Sequence, residues 1–190
     1  METKHLSQNA LQKIYTSEVK KIGLEGLEGL KSEKRSRIQG PQSSSIFLCH
    51  SHLDKTIVNK MLLLFNKLNV DLYIDWMDDS MPELTDRTTA SIIKEKIDSS
   101  SKFIFLATYN ALRSKWCNWE LGLAYSSKGE KDFAILPIES KNGNWSGNEY
   151  LQLYPEMQMN IIDEQDVDTG NIKINFYNQN TIDFENWINS

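Results

Sequence analysis

The sequence predicts an α/β domain, a doubly wound parallel sheet with helices on both faces, preceded by a helical N-terminal extension. Three observations carry that prediction. Short, continuous apolar runs such as Ile46-Phe47-Leu48-Cys49 suit strands buried on both faces. Strand and helix patterns alternate four times with short connections, and right-handed crossovers then make the strands parallel. The chain has 190 residues, 39% of them hydrophobic and 10% aromatic, which suits one cored domain with an appendage.

Residues 1–42 are rich in Lys and Glu, with Leu6, Ala10, Leu11, Ile14 and Val19 near helical spacing. In the repeat Gly23 to Leu30, Leu24, Leu27 and Leu30 would share one side of a helix, although each Gly costs about 1 kcal/mol there. The segment reads as a helical extension ending in a flexible linker, Ser36–Ser45, with the domain proper at 43–190. Residues 1–40 carry +3 and the remainder −8. That contrast predicts docking on the acidic domain or on a neighbouring copy, with a fold that survives removal of the extension. Ile46–Cys49 is the first strand. Asp54–Leu68 follows as a helix with Ile57, Val58, Met61, Leu62, Leu64, Phe65 and Leu68 inward. Val70–Trp76 is a second strand, Met77–Asp86 an acidic loop holding Pro82, and 87–97 a helix. Phe103–Thr108 is the third strand, Ser114–Tyr125 an aromatic-rich helix, and Phe133–Ile138 the fourth strand. Beyond Ser140 the pattern weakens: Ile172–Tyr177 reads as a last strand and Asp183–Ile188 as a short helix, with a loop-rich stretch at 142–170.

The net charge of −5 argues against a general nucleic-acid binder. Cys49 and Cys117 lie in apolar stretches and read as buried thiols, not as a disulfide or a metal pair. Met1–Lys21 is polar throughout and no apolar run could span a bilayer, which predicts a cytoplasmic protein without a membrane partner. The sequon Asn144-Trp145-Ser146 has no meaning in that compartment. Neither phosphate-binding glycine loop occurs. Asp75, Asp78, Asp79, Glu83 and Asp86 raise a Mg²⁺ site of the phosphoacceptor kind, but Thr108 stands where that chemistry needs an Asp. Those acids read as a solvated or partner-facing loop. His5, His50 and His52 lack metal-ligand spacing, so no metal is predicted. No nucleophile–base–orienter set can be assembled either.

In such sheets ligands sit at the carboxyl ends of the strands. Those ends are His50-Ser51, Trp76-Met77-Asp78 and Thr108-Tyr109-Asn110, so His50, Ser51, Trp76 and Asp78 are candidate substrate contacts. A hydrogen-bonded structural role is the alternative for His50. The helix leaving the third end carries Glu120 between Trp116 and Ala124 at i±4, with no basic residue at that spacing. A carboxylate beside aromatic surface loses hydration, and its pKa rises unless compensated. The plain alternative is a surface Glu on an amphipathic helix. One reaction suits so sparse a site: cleavage of an N-glycosidic bond whose leaving group already carries positive charge. Ordinary glycosidases protonate the leaving oxygen with a second carboxyl, whereas nicotinamide leaving NAD⁺ needs no proton. A single anion, Glu120, then stabilises the oxocarbenium-like sugar, and Trp116 stacks on a flat ring. NAD⁺ is substrate in this reading, and no cofactor is called for.

At these residues the chain resembles the TIR domain family, from about Ser45 onward. Ile46-Phe47-Leu48-Cys49-His50-Ser51-His52-Leu53-Asp54 is similar to the family's first box, with Cys49 in place of the usual Ser. Tyr73-Ile74-Asp75-Trp76 and the Pro82 loop resemble its second strand and long loop, without the common glycine. Ser114-Lys115-Trp116-Cys117-Asn118-Trp119-Glu120-Leu121 resembles the S-x-W-C-x-x-E-L signature. The resemblance implies a flavodoxin-like fold with strand order 2-1-3-4-5, NAD⁺ cleavage with Glu120 catalytic, and self-association that completes the site. A free-standing protein of this size also resembles the signal-producing TIR subunit of Thoeris anti-phage defence. That implies a cyclic ADP-ribose isomer as product and a downstream effector protein reached through it. The alternative is a non-catalytic TIR adaptor acting through its acidic loop and helices; such a module would lack the Glu, which is present here.

Overall fold

The computed structural model describes residues 5–39, 46–82, 86–139, 149–177 and 180–190. The extension comes first, as β1 (Leu6–Ser7) leading into α1 (Gln8–Gln39). The domain follows as β2 (Ile46–Cys49), α2 (Lys55–Lys67), β3 (Leu72–Tyr73), α3 (Arg87–Ser99), β4 (Lys102–Ala107), α4 (Tyr109–Arg113), α5 (Lys115–Lys128) and β5 (Phe133–Glu139). The chain ends with β6 (Glu156–Met159), β7 (Ile172–Asn175), β8 (Thr181–Asp183) and α6 (Phe184–Ile188). The sheet runs β3-β2-β4-β5-β6-β7-β8. Its β3-β2-β4-β5-β6 portion is parallel and has the predicted order 2-1-3-4-5, counted from the first strand after the extension. β7 and β8 extend it antiparallel, giving a mixed sheet.

The continuous apolar runs are explained by the two faces. Ile46, Leu48, Ile104, Leu106, Ala134 and Leu136 pack in one core with α1, α2 and α6. Phe47, Cys49, Phe103, Phe105, Phe133 and Ile135 pack in the other with α3 and α5. Alternate residues of one strand therefore enter different cores, and each fully buried large side chain contributes roughly 1.5–3 kcal/mol. Phe47 stacks on Tyr73 at 5.2 Å and on Phe103 at 5.5 Å, and Phe103 on Phe133 at 5.1 Å, so an aromatic row crosses four strands.

The extension is built into this fold. β1 pairs in parallel with the end of β5, Leu6 opposite Ile138, and Leu6, Ala10, Leu11 and Ile14 are buried in the core they share with α2. Docking is thus on the chain's own domain, reinforced by ion pairs of Lys34 with Asp71 and of Lys67 with Glu18 at 3.3 Å. Gly23, at φ 73° and ψ 175°, kinks α1 in a conformation only glycine takes readily. Beyond the kink a spacing of three drifts around a helix of 3.6 residues per turn, and Leu24 is exposed, Leu27 buried and Leu30 half-buried. Ser36–Gln39, assigned to the linker by sequence, continue α1; the rest of that linker lies outside the described residues, as do Glu83 and the Asn144 sequon.

The second strand is shorter than predicted. Asn69 turns the chain at φ 57°, and the Asp75 carboxylate accepts from the Trp76 N–H at 2.7 Å, curling Asp75–Met77 into a 3-10 turn. β6 and β8 were not anticipated. Among the described residues no helix is long and apolar enough to cross a membrane.

Candidate active site

The carboxyl ends of β2 and β4 and the turn after β3 converge where α5 begins. Ser114 starts α5 by accepting from the Cys117 N–H at 3.2 Å, as an N-cap does. Asn118 ties the same turn to the Leu112 and Ser114 carbonyls at 3.1 and 2.8 Å and accepts from the Tyr150 hydroxyl at 2.5 Å. Cys117, Leu121 and Ala124 are buried, and the face they define carries Glu120 inward, 6% exposed. Among the described residues no Lys, Arg or His makes an ion pair with it. Burial pushes its pKa well above the carboxylate range; the Cys49 thiol, hydrogen-bonded to it, opposes that rise, and Cys117 and Asp75 add to it. Burial likewise pushes the Cys49 thiol up, so it stays protonated.

Asp75 is near enough for its charge to be felt at this carboxyl, and His50 stands against Asp75. His50 is buried, its Nδ1 contacts the Leu48 carbonyl at 2.8 Å, and its Nε2 lies 3.3 Å from Asp75 Oδ1. Asp54, also buried, accepts from Thr108 Oγ1 at 2.5 Å and Asn110 Nδ2 at 2.7 Å, which pins the start of α4 to the first strand's end. Asp75 is thus shared, held against His50 and felt electrostatically at Glu120.

The remaining predicted contacts have partners of their own. Ser51 is buried and its hydroxyl oxygen accepts from the Leu53 N–H at 3.3 Å, capping the turn before α2. Asp78 accepts from Tyr73 Oη at 2.8 Å and from Ser80 N and Oγ at 2.9 and 2.6 Å, and pairs with Lys96 at 3.3 Å. Burial raises its pKa, but the Ser80 and Tyr73 donors outweigh this and hold it below the usual range. Trp76 packs toward the α1–α2 core, with the Lys55 ammonium 6.0 Å from its ring centre. Trp116 meets Trp119 edge-on at 5.3 Å; with Lys115 and Ala90 they line a groove of about 300 Å³ between α3 and α5. Two other cavities, of about 550 and 260 Å³, lie along β1, β5 and β6, away from Glu120. Among the described residues no cluster of His, Cys, Asp and Glu is suited to a metal ion.

Sequence reasoning missed the companions of Glu120. Asp75 was read as part of the second strand and of an acidic cluster, not as a neighbour of Glu120, although strand alternation puts it in phase with Tyr73. Nothing local ties Cys49 to Glu120, since their approach depends on how α5 crosses β2.

Comparison with known proteins agrees with this geometry. The pattern of a family described as TIR domain matches residues 46–168. A protein of Cytobacillus dafuensis, named a cyclic ADP-D-ribose synthase, TIR2, is 31% identical over 148 residues, 70% of this chain and 39% of that protein. A protein of Bacillus cereus strain MSX-D12, named a 3′ cyclic ADP-D-ribose synthase, ThsB′, is 30% identical over 147 residues, 75% of this chain and 74% of that protein. The chain therefore spans well under half of the first relative and about three quarters of the second.

Proposed function

The chain belongs to the TIR domain family, and from that membership we propose that it is an NAD⁺ nucleosidase and cyclase. It cleaves the bond between nicotinamide and ribose and turns the ADP-ribosyl group into a cyclic nucleotide signal. The observation that carries this reading is Glu120, a carboxyl buried without an ion pair at the strand ends where α/β folds bind ligands. The names of both relatives support it.

The electrostatics suit the reaction. In the protein alone, burial favours the neutral carboxyl. A nicotinamide cation arriving beside it favours the carboxylate, so the substrate draws out the charge that catalysis needs. As the bond breaks, positive charge moves from the ring to the ribose, where an oriented anion in a dry site is most effective. NAD⁺ is the substrate and no separate cofactor takes part. Leu53, Tyr109, Trp116 and Trp119 are large apolar groups exposed on segments leaving the same strand ends, which supports self-association close to the site. The product acts in the cytoplasm on a separate effector protein in anti-phage defence. Nicotinamide release by the parent and by Glu120→Gln tests the reading. A folded parent that releases none at high concentration would instead be an adaptor.

A further inference from the structure

Glu120 is the one anion the proposed reaction uses, and an anion stabilises a developing cation only where it is held in place. With no ion pair to hold it, orientation falls to hydrogen bonding. Among the described residues, the one side-chain hydrogen bond to Glu120 comes from Cys49. That thiol stands at the end of β2, 1% exposed, with its Sγ 3.8 Å from the Cys117 carbonyl oxygen in the first turn of α5. Burial keeps it protonated, so it faces both groups as a donor. A thiol has one hydrogen and serves one acceptor at a time. While Glu120 is neutral, the hydrogen stays with the Cys117 carbonyl. A carboxylate is the stronger acceptor and takes it.

We propose that Cys49 is the positioning residue of Glu120: its S–H turns from the Cys117 carbonyl to the carboxylate as charge appears, and fixes the orientation of that anion. As a role in catalysis the assignment rests on the NAD⁺ reading; as a contact between two side chains it does not. The weakness of a thiol as donor matters here. A hydroxyl in its place would favour the charged carboxyl even in the resting protein. The thiol leaves burial in command until the nicotinamide cation arrives. The other ionisable groups facing the pair are Cys117 on α5 itself, Tyr73 on β3 and Asp75 after it. Asp54 acts on Cys117, and His50 stands against Asp75. From α3, Lys96 is taken up by Asp78 and lies 5.3 Å from the centre of the Tyr73 ring.

Two substitutions that shrink the side chain alike separate this role from packing. Cys49→Ser offers a stronger donor and Cys49→Ala none. The full chain is labelled at its glutamate carboxyl carbons, and the Glu120 signal, identified by its absence from Glu120→Gln, is titrated by NMR. Its midpoint should fall by about one pH unit in Cys49→Ser and rise by about one in Cys49→Ala. The kcat/KM for nicotinamide release depends on the same ionisation of the free enzyme, so its midpoint should move with the carboxyl in both variants. Loosened packing admits water and lowers the midpoint in both, so shifts of opposite sign are not a packing effect. If Cys49→Ser does not fold, the rise in Cys49→Ala decides alone. Midpoints that stay put, or that move the same way in both variants, overturn the assignment by itself, because the titration needs no NAD⁺. A carboxyl midpoint that moves without the kcat/KM midpoint overturns it too. Absence of nicotinamide release by the parent, or a folded Glu120→Gln at the parental rate, overturns the NAD⁺ reading and the catalytic role of Cys49 with it.

Discussion

Replacing Glu120 with Gln separates what the carboxyl does for chemistry from what it does to folding. Because burial raises its folded-state pKa above 4.5, the unfolded chain gives up this proton first as pH rises. Glu120 therefore lowers stability progressively from pH 4.5 up to its own raised pKa. The Gln variant should match the parent below pH 4.5 and gain on it above, by up to about 1.4 kcal/mol per pH unit across that window. Denaturant midpoints at pH 4 and pH 7 check this; a Gln variant less stable at both would contradict it. Trp116 behaves differently, being half-exposed and held by its edge contact with Trp119. Trp116→Ala should cost about 1 kcal/mol of stability and weaken turnover. At this scale Glu120 was legible because an unpaired acid among aromatics is a local anomaly. Asp75 and Cys49 were not, because they reach Glu120 only through contacts between separate strands and α5.

The element that departs most from its sequence reading is the extension. An amphipathic stretch announces that it packs but not on what, and here β1 and α1 complete the domain's own sheet and core. Gly23→Ala should destabilise by about 1–3 kcal/mol, since nothing crowds the position and the cost is purely one of backbone conformation. A melting temperature equal to the parent's would show that α1 is indifferent to its kink. His5 supplies a second handle. Its hydrogen bond to Glu156, aided by Glu139, outweighs burial and raises its pKa above 6.5. The stability it contributes is fully present below pH 6.5 and is lost as pH rises through the raised value. Amide protection at Leu6 and Ser7, taken relative to the intrinsic exchange rate at each pH, should fall over that range in the parent and change little in His5→Gln. The parallel strands β2, β4 and β5 were readable because their burial on both faces leaves a continuous apolar run. β6 and β8 were not: β6 is short and half-exposed with its pairing set by distant partners, and β8 is three largely exposed residues that pair back on β7.

For the molecule as a whole, a resting state that needs assembly suits an enzyme that would otherwise drain NAD⁺. The exposed Trp116, Trp119, Tyr109 and Leu53 give copies of the chain an apolar surface on which to meet. Activity per molecule should therefore rise with protein concentration, and strictly proportional activity from dilute monomer would contradict assembly. Incubating concentrated protein with NAD⁺ and separating the products by mass tests the role of Glu120 most directly. The parent should release nicotinamide together with a product one water lighter than ADP-ribose, and folded Glu120→Gln should do so about 10² times more slowly or less. A folded Glu120→Gln protein that cleaves NAD⁺ at the parental rate would contradict it.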